Sequence, residues 1–337
     1  MPLVTASAVR YPLGSRMAIR TRIPAGAPDL PGSPTLTDTV GEVLAVDDES
    51  VVLATRRGEV ALPLGSVVAA RVIPPRPTRR GAPERAIGIE DLHRVMTKGN
   101  PGLEVAWLGA PGRGWMLRAG LGFTGRANSA LPLGDPGTTD EEAVERVVAW
   151  YRERDLVPRL QVPLPLHVDL ADDPFAARLL AQGWTPITPA LVLTGRAVPA
   201  SPAPPGWRLE QRDSIDDAWL SASGSGITDH REAARAVLGA PREQVFLHAR
   251  DADGELLGVG RASIDDGWTG VYSVHVAERA RRLGVGRWLT TAATAAGAQR
   301  GASLVYLQVE TDNLPAVRLY EDLGLRRHHH YAYLRRL

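Results

Sequence analysis

The sequence contains no cysteine, and Lys98 is its only lysine among 337 residues. The absence of cysteine excludes disulfide bonds, thiolate metal sites and cysteine nucleophiles. No apolar run approaches the roughly twenty residues of a membrane span. Residues 1–4 also lack the basic region and apolar core of a secretory signal. We therefore expect a cytoplasmic protein with no membrane partner.

The charge of the chain is nearly balanced, with 39 basic and 38 acidic residues and a formal net charge of +1. Proteins built mainly to bind nucleic acid usually carry a strong basic excess, so this balance disfavours nucleic acid as a partner. Nearly all the basic residues are arginine, as a GC-rich genome would favour, and isolated arginines therefore carry little information. The length and the 44% of hydrophobic residues allow two or three domains with packed cores.

The most informative stretch spans residues 271–299. It begins with Val-Tyr-Ser-Val-His-Val, which predicts a strand, and it ends in an alanine-rich pattern that predicts a helix. The turn between them contains four arginines and two glycines: Arg279, Arg281, Arg282, Arg287, Gly284 and Gly286. Glycine lets backbone N–H groups approach a ligand, and the first turn of a helix adds unpaired N–H groups. The stretch predicts a polyphosphate-binding loop, the alternative being a turn that needs glycine only for its backbone geometry.

A second strand and helix follow. The strand covers residues 304–309, and the helix after it carries Asn313 near its start and Tyr320 before Gly324. Residues 328–330 are three consecutive histidines, of which at most His328 and His330 could share a metal ion, because neighbours on a strand point to opposite faces. With no carboxylate nearby in sequence, we expect the last strand here and no metal site.

Together these motifs resemble the GNAT superfamily of acyl-CoA-dependent N-acyltransferases. The family signature is Gln or Arg, two residues, Gly, one residue, then Gly or Ala, and residues 281–286 match it. The family's asparagine and tyrosine match Asn313 and Tyr320. The resemblance covers about residues 207–337. It implies an α+β fold, a mixed sheet flanked by helices, with acetyl-CoA as co-substrate.

The resemblance also implies roles for single residues. The backbone at Val274 and Val276 would hold the pantetheine arm, an N–H near Val274 would stabilise the oxyanion, and Tyr320 would be the catalytic residue that protonates or hydrogen-bonds the leaving thiolate. A core tyrosine is the alternative for Tyr320. The general base stays open between His275, Glu310 and a water relay. The predicted cofactor-binding residues are Val274, His275, Val276, Arg281, Arg282, Leu283, Gly284, Val285, Gly286, Arg287 and Asn313.

The middle of the chain resembles a degenerate repeat of its C-terminal part. Leu160-Gln161-Val162 repeats in Leu307-Gln308-Val309, but Leu180 stands in the place of Tyr320. The turn before the helix predicted from Thr139 contains Asp135, whose charge would repel phosphate, and no cluster of arginines. We interpret this middle part as a degenerate GNAT-like unit.

Short strands separated by tight turns between residues 15 and 74 predict a small β-barrel. It resembles the SH3-like modules that precede some bacterial acyltransferase domains. It lacks the aromatic residues that would form a recognition groove, which favours a docking or scaffolding module over one that recognises peptides or nucleic acid. The predicted domains are an SH3-like barrel (1–75), a linker (76–85), a degenerate GNAT-like domain (86–198), a proline-rich linker (199–206) and a catalytic GNAT domain (207–337).

The sequence thus predicts an N-acetyltransferase that moves an acetyl group from acetyl-CoA to a primary amine of a protein or small molecule. One alternative is a tandem GNAT enzyme resembling mycothiol synthase, and another is a non-catalytic acyl-CoA-binding scaffold or sensor. Four acidic residues hint at a cationic acceptor, although helix caps explain them as well: Asp216, Asp217, Asp229 and Glu232. The sequence does not identify the acceptor, and it leaves open whether the chain forms a homodimer.

Overall fold

The computed structural model describes residues 11, 14–23, 35–55, 58–73 and 82–337. These residues form two compact units, Met1–Arg76 and Pro77–Leu337. The predicted linker at residues 76–85 lies mostly outside the described residues. Within those ranges, none of the helices combines the length and the apolar character needed to cross a membrane.

The first unit is an antiparallel sheet of five strands: β1 (Arg16–Arg22), β2 (Leu36–Val46), β3 (Ser50–Thr55), β4 (Gly58–Pro63) and β5 (Val67–Val72). In the order β4-β3-β2-β1-β5, the two edge strands are separated in sequence only by Leu64–Ser66. Four residue steps reach at most about 14 Å. The edges of a flat five-stranded sheet lie about 19 Å apart, so this sheet must curl, as predicted for a small barrel.

The second unit contains ten strands and nine helices in the part that the structure describes. Its strands are β6 (Glu104–Leu108), β7 (Trp115–Ala119), β8 (Arg159–Leu164), β9 (Thr185–Arg196), β10 (Arg208–Arg212), β11 (Gln244–Arg250), β12 (Leu256–Asp265), β13 (Trp268–Val276), β14 (Leu304–Glu310) and β15 (Arg326–Arg335). Its helices are α1 (Pro83–Ala86), α2 (Ile89–Gly99), α3 (Asp140–Arg152), α4 (Pro174–Ala181), α5 (Asp217–Ala222), α6 (Ser225–Thr228), α7 (Arg231–Gly239), α8 (Val285–Gln299) and α9 (Leu314–Asp322).

Eight of these strands form one sheet in the order β10-β11-β12-β13-β14-β9-β15-β8. Strand β9 lies between β14 and β15, although it precedes both in the chain, and it pairs antiparallel with each of them. Strand β15 in turn lies between β9 and β8. The division into domains at residues 86–198 and 207–337 stays a prediction. Strand β9 of the first range lies between β14 and β15 of the second, and β15 of the second lies between β9 and β8 of the first.

The two faces of the sheet are covered by different helices. Helix α8 packs on the face that presents Leu307 and Val309 of β14, and we call this the α8 face. Helix α2 packs on the opposite face with Tyr306 of the same strand, and we call this the α2 face. Because side chains alternate along a strand, Gln308 lies on the α2 face with Tyr306.

Local signals in the sequence agree with these elements. The helix predicted from Thr139 is confirmed as α3, and the Thr139 hydroxyl accepts a hydrogen bond from the backbone N–H of Glu142 at 3.3 Å. A side chain at this position satisfies one of the N–H groups that a helix leaves unpaired at its start. Helix α2 starts at Ile89, directly after its N-cap Gly88.

The position of β9 predicts that both halves of the second unit unfold together. Leu193 of β9 is fully buried in the core on the α8 face, so Leu193→Ala should lower the free energy of unfolding by about 2–5 kcal/mol. All eight tryptophans lie in the second unit, so tryptophan fluorescence during urea unfolding reports on it alone. Leu166→Ala, at a site 48% exposed, is the control and should change stability by less than about 0.5 kcal/mol. Two separate transitions, with only one of them shifted, would contradict the prediction.

Candidate active site

Strands β13 and β14 separate halfway along their length. They pair in parallel over four residues of each strand, from Trp268 with Leu304 to Val271 with Leu307. Beyond this point β14 continues to Glu310 and remains paired with β9 on its other side. The residues of β13 change from buried to half-buried directly after Tyr272. The two strands therefore enclose a cleft with its vertex at Val271 and Leu307.

A β-bulge lies on β13 at the start of this cleft. Strand β12 advances by two residues, from Val259 to Arg261, while β13 advances by three, from Tyr272 to His275. The extra residue changes the direction of the backbone, and Ser273 takes a left-handed conformation with φ of 50°. A non-glycine residue in this conformation is strained, and such strain is frequent at functional sites.

The hydrogen bonds after the bulge show which backbone groups face the cleft. The N–H of Ala277 donates to the carbonyl of Leu257 at 2.9 Å, so at this residue β13 faces β12. In an antiparallel pair the direction of the N–H group alternates from one residue to the next. The N–H group of Val276 therefore faces the cleft, and those of His275 and Ala277 face β12. Val274 lies within the bulge, opposite Gly260 together with Ser273.

Helix α8 begins beside the end of β13 with an open N-terminus. Its N-cap, Gly284, is left-handed with φ of 93° and provides no side-chain hydrogen bond, and its first turn has no acidic residue. A Cβ added at Gly284 would meet no atom within 4 Å. The helix dipole and the free N–H groups of this first turn are suited to an anion.

The arginines of the loop divide into two groups. Arg279 is occupied, because it donates to Asp251 at 3.1 Å and to the carbonyl of Leu256. Arg281 and Arg282 are exposed and form no ion pair with any carboxylate of the described residues. Arg287 lies 3.9 Å from Asp322, a weak contact at the surface. Three guanidinium groups thus remain available to an anion bound at the start of α8.

Tyr320 lies on α9 and packs against the core of the α8 face. Helix α9 packs closely on the start of α8, since a Cβ at Gly286 would lie 3.4 Å from Leu319 of α9. Burial raises the pKa of Tyr320 to about 12. Its hydroxyl makes no hydrogen bond with the residues that the structure describes. It is therefore a protonated donor near neutral pH without a partner of its own.

The other predicted site residues have contacts of their own. The Asn313 side chain caps α9 by accepting from the N–H of Ala316 at 3.3 Å, so its oxygen has a structural role. Burial lowers the pKa of the His275 imidazole, and the charge of Arg281 adds to this effect. The His275 ring packs on Gly224, where a Cβ would lie 3.0 Å away. Glu310 is exposed at the end of β14.

The three consecutive histidines bond to protein atoms. His328 donates from Nε2 to the carbonyl of Ile87 at 2.9 Å, and the Nε2 of His330 donates to the carbonyl of Val168 at 2.9 Å. His329 is buried between His328 and His93, with ring nitrogens 2.8 Å apart in each contact. Within the described ranges, no three histidine or acidic side chains are placed to hold a metal ion.

The start of helix α3, in the middle of the chain, differs from the start of α8. Its N-terminus is capped by Thr139 and carries three acidic residues in its first turn, Asp140, Glu141 and Glu142. The carboxylate of Asp135 accepts the N–H of Gly137 at 2.8 Å in the preceding turn. Thr139 thus occupies one N–H donor of the first turn, and the carboxylates repel anions, so this turn is not suited to phosphate.

Sequence reasoning missed a polar cluster on the α2 face. Arg126 donates from Nε to Gln308 at 3.0 Å, and the Tyr331 hydroxyl donates to the same oxygen at 2.8 Å. A matching pair lies across a small cavity, where Arg118 donates to Gln161 at 2.8 Å. The two glutamines hold equivalent positions in the Leu-Gln-Val repeat. That repeat was the available signal, but it does not indicate which arginine each glutamine binds.

Two solved structures with a similar fold are described as GNAT proteins. A GCN5-related N-acetyltransferase from Kribbella flavida aligns with a TM-score of 0.54 at 18% identity, over 74% of this chain and 96% of its own. A tandem GNAT protein from the clavulanic acid biosynthesis pathway aligns with a TM-score of 0.53 at 17% identity, over 73% of this chain and 87% of its own. At these identities the likeness shows that the fold is the GNAT fold.

Sequence comparison identifies the family. The model described as "Probable histone acetyltransferase Rv0428c C-terminal" matches residues 87–334, and "Rv0428c N-terminal Sm-like domain" matches residues 11–71. Probable histone acetyltransferase Rv0428c of Mycobacterium tuberculosis is 34% identical over 335 residues, which cover 96% of this chain and 95% of the relative. Mycothiol acetyltransferase of Thermomonospora curvata is 32% identical over 192 residues, which cover 52% of this chain and 64% of the relative. The chain therefore belongs to the GNAT acetyltransferases, in the family that these two models define.

The first unit is Sm-like by its family model, whereas the sequence resemblance pointed to an SH3-like module. The predicted small antiparallel β domain is confirmed.

The left-handed backbone at Ser273 can be tested by stability. At a regular strand position, valine is more stable than glycine by about 1 kcal/mol. At a left-handed position the order reverses, because a β-branched side chain is strained there and glycine is not. Ser273→Val should therefore be less stable than Ser273→Gly by about 1–2 kcal/mol in urea unfolding. The opposite order would show that β13 has no bulge at this residue.

Proposed function

We propose that the chain is an acetyl-CoA-dependent N-acetyltransferase that acts on a primary amine, with its active site in the cleft between β13 and β14. The observation that carries this proposal is the open, arginine-rich N-terminus of α8 beside the cleft. The pyrophosphate of acetyl-CoA would bind Arg281, Arg282 and the N–H groups that follow Gly284. The amides of the pantetheine arm would pair with the free edge of β13 at Val274 and Val276.

In the transfer step, the amine nitrogen attacks the thioester carbonyl and negative charge develops on its oxygen. The N–H of Val274, at the start of the free edge of β13, would stabilise this charge. The C–S bond then breaks, the thiolate leaves with the electron pair, and the amine nitrogen loses a proton. The protein also contributes by holding the two substrates in position.

Tyr320 would donate a hydrogen bond to the departing sulfur. Its pKa of about 12 exceeds the thiol value of about 8.5 by roughly 3.5 units, so complete proton transfer would be uphill by about 5 kcal/mol. A hydrogen bond that strengthens as charge develops on the sulfur avoids this cost. We infer that Tyr320 stabilises the thiolate without giving up its proton.

The general base is the less defined part of the site. His275 is neutral near pH 7, because burial and Arg281 lower its pKa, and Glu310 is exposed. Removing a proton near pH 7 costs about 1.4 kcal/mol for an amine of pKa about 8 and about 4.6 kcal/mol for a lysine. An amine of low pKa that passes its proton to a water relay therefore needs the least assistance from a protein base.

A tandem enzyme of the mycothiol acetyltransferase kind is the second candidate. The exchange of β9 and β15 between the two predicted GNAT-like parts supports it, as does the similarity to mycothiol acetyltransferase of Thermomonospora curvata. The capped, acidic start of α3 supports a middle part that binds no acyl-CoA. We infer a single acetyl-CoA site, at α8.

Calorimetric titration of acetyl-CoA tests the site. The intact protein should bind one equivalent, and Gly284→Glu should abolish binding because it adds bulk and negative charge to the phosphate loop. Gly301→Glu is the matched control, since Gly301 is also left-handed with open space around it but lies beyond the far end of α8. No binding to the intact protein, or equal loss in both variants, would contradict the proposal.

Kinetics of Tyr320→Phe test the role of the hydroxyl. The variant should bind acetyl-CoA as the intact protein does, while kcat falls about 10–1000-fold, the range expected for a lost transition-state hydrogen bond. An unchanged kcat would instead show that Tyr320 is a core residue. A protein that binds acetyl-CoA but releases no thiol with any amine would be an acyl-CoA-binding scaffold.

A further inference from the structure

Arg126 lies on the α2 face close to the vertex of the cleft. Its partner Gln308 is the first residue of β14 beyond the last pair with β13, which is Val271 with Leu307. Val274 lies further toward the open end, within the bulge after Tyr272. Arg126 therefore lies beside the vertex of the cleft, on the face of the sheet opposite α8. An amine acceptor would enter from that side, because acetyl-CoA occupies the other.

The charge of Arg126 has no counter-charge in the protein. Among the described residues, no carboxylate lies within ion-pair distance of it. Two further arginines lie buried nearby on this face. Arg118 is held by Ser129 and Gln161, and Arg261 by neutral oxygens of Leu238, Gly99, Asn100 and Gln244. Buried charges are normally paired. Arg118 and Arg261 are fully buried among neutral oxygens, whereas Arg126 is only partly buried.

Two of the four carboxylates expected to attract a cation have other partners. Asp216 caps α5 through the N–H of Trp219 at 2.7 Å. Asp217 forms ion pairs with Arg231 and Arg235 at 2.9 and 2.7 Å. A cationic acceptor would thus meet an unpaired guanidinium on this side of the cleft and two acids that are already engaged.

We propose that the acceptor carries a carboxylate close to its amine and that Arg126 binds this carboxylate, so that the substrates are amino acids or compounds of that type. The proposal rests on the proposed function and names its acceptor. The planar guanidinium matches a carboxylate in shape and charge, and a partly buried site strengthens the pair. Gln308 fixes the guanidinium through its Nε, and the Tyr331 hydroxyl holds the same glutamine oxygen in place.

The test compares acids with their amides as acceptors. L-leucine, L-phenylalanine and L-glutamine are each assayed beside the corresponding amide, together with a lysine-rich peptide blocked at both ends. Thiol release measures the rate, and the absence of cysteine from the chain removes any background from the protein. The intact enzyme should favour the acid of the best pair at least tenfold in kcat/KM, about the effect of one charge-assisted hydrogen bond.

Variants of Arg126 connect this preference to the residue. Arg126→Gln should lower kcat/KM for the acid about 10–100-fold and leave the amide unchanged, and Arg126→Lys should recover part of the loss. Arg152→Gln removes an exposed arginine of α3 and should change neither. Preference for the amide or the lysine-rich peptide would overturn the proposal. An equal loss for acid and amide in Arg126→Gln, with its thermal unfolding unchanged, would overturn it also.

Acetyl-CoA titration separates the two levels of the account. Arg126→Gln should bind acetyl-CoA with the affinity of the intact protein. If the intact protein binds none, the proposed function fails. If it binds acetyl-CoA but acetylates no carboxylate in the panel, the acceptor inference fails while the cofactor site stands.

Discussion

The site depends on the unequal pairing of strand β14. One edge of β14 pairs with β9 along its whole length, from Leu304 to Glu310, while the other edge pairs with β13 only as far as Leu307. The strand is therefore fixed in place although half of one edge is free. This allows β13 to diverge without loss of the sheet. The cleft, the exposed backbone of Val274 and Val276, and the meeting of α8 with α9 all follow from that divergence.

Each side of the cleft carries positive charge that has no acidic partner among the described residues. On the α8 side, the helix N-terminus has neither an acidic residue nor a side-chain cap, and Arg281 and Arg282 have no acidic partner in the described chain. On the α2 side, Arg126 is held by a neutral glutamine. Both sides therefore attract negative charge, and by our proposals the first binds a pyrophosphate and the second a carboxylate. The start of α3 has the opposite arrangement, with a cap and three acidic residues.

Local motifs made much of this predictable from sequence. The strand, the loop at residues 281–286 and the helix are adjacent in the chain, so their residue types report directly on their geometry. Three features depend on distant parts of the chain and were not predictable. The bulge at Ser273 arises from pairing with β12, the insertion of β9 between β14 and β15 is a long-range exchange, and Arg126 reaches Gln308 from a glycine-rich turn without regular structure.

The most direct test of the central claim is amide hydrogen exchange with and without acetyl-CoA, followed by mass spectrometry. The account predicts slower exchange in two segments, residues 273–277 at the free edge of β13 and residues 284–288 at the start of α8. It predicts no change at residues 134–139, before α3. Protection at residues 134–139 in place of the other two segments, or bound acetyl-CoA with no protection along β13, would contradict the account.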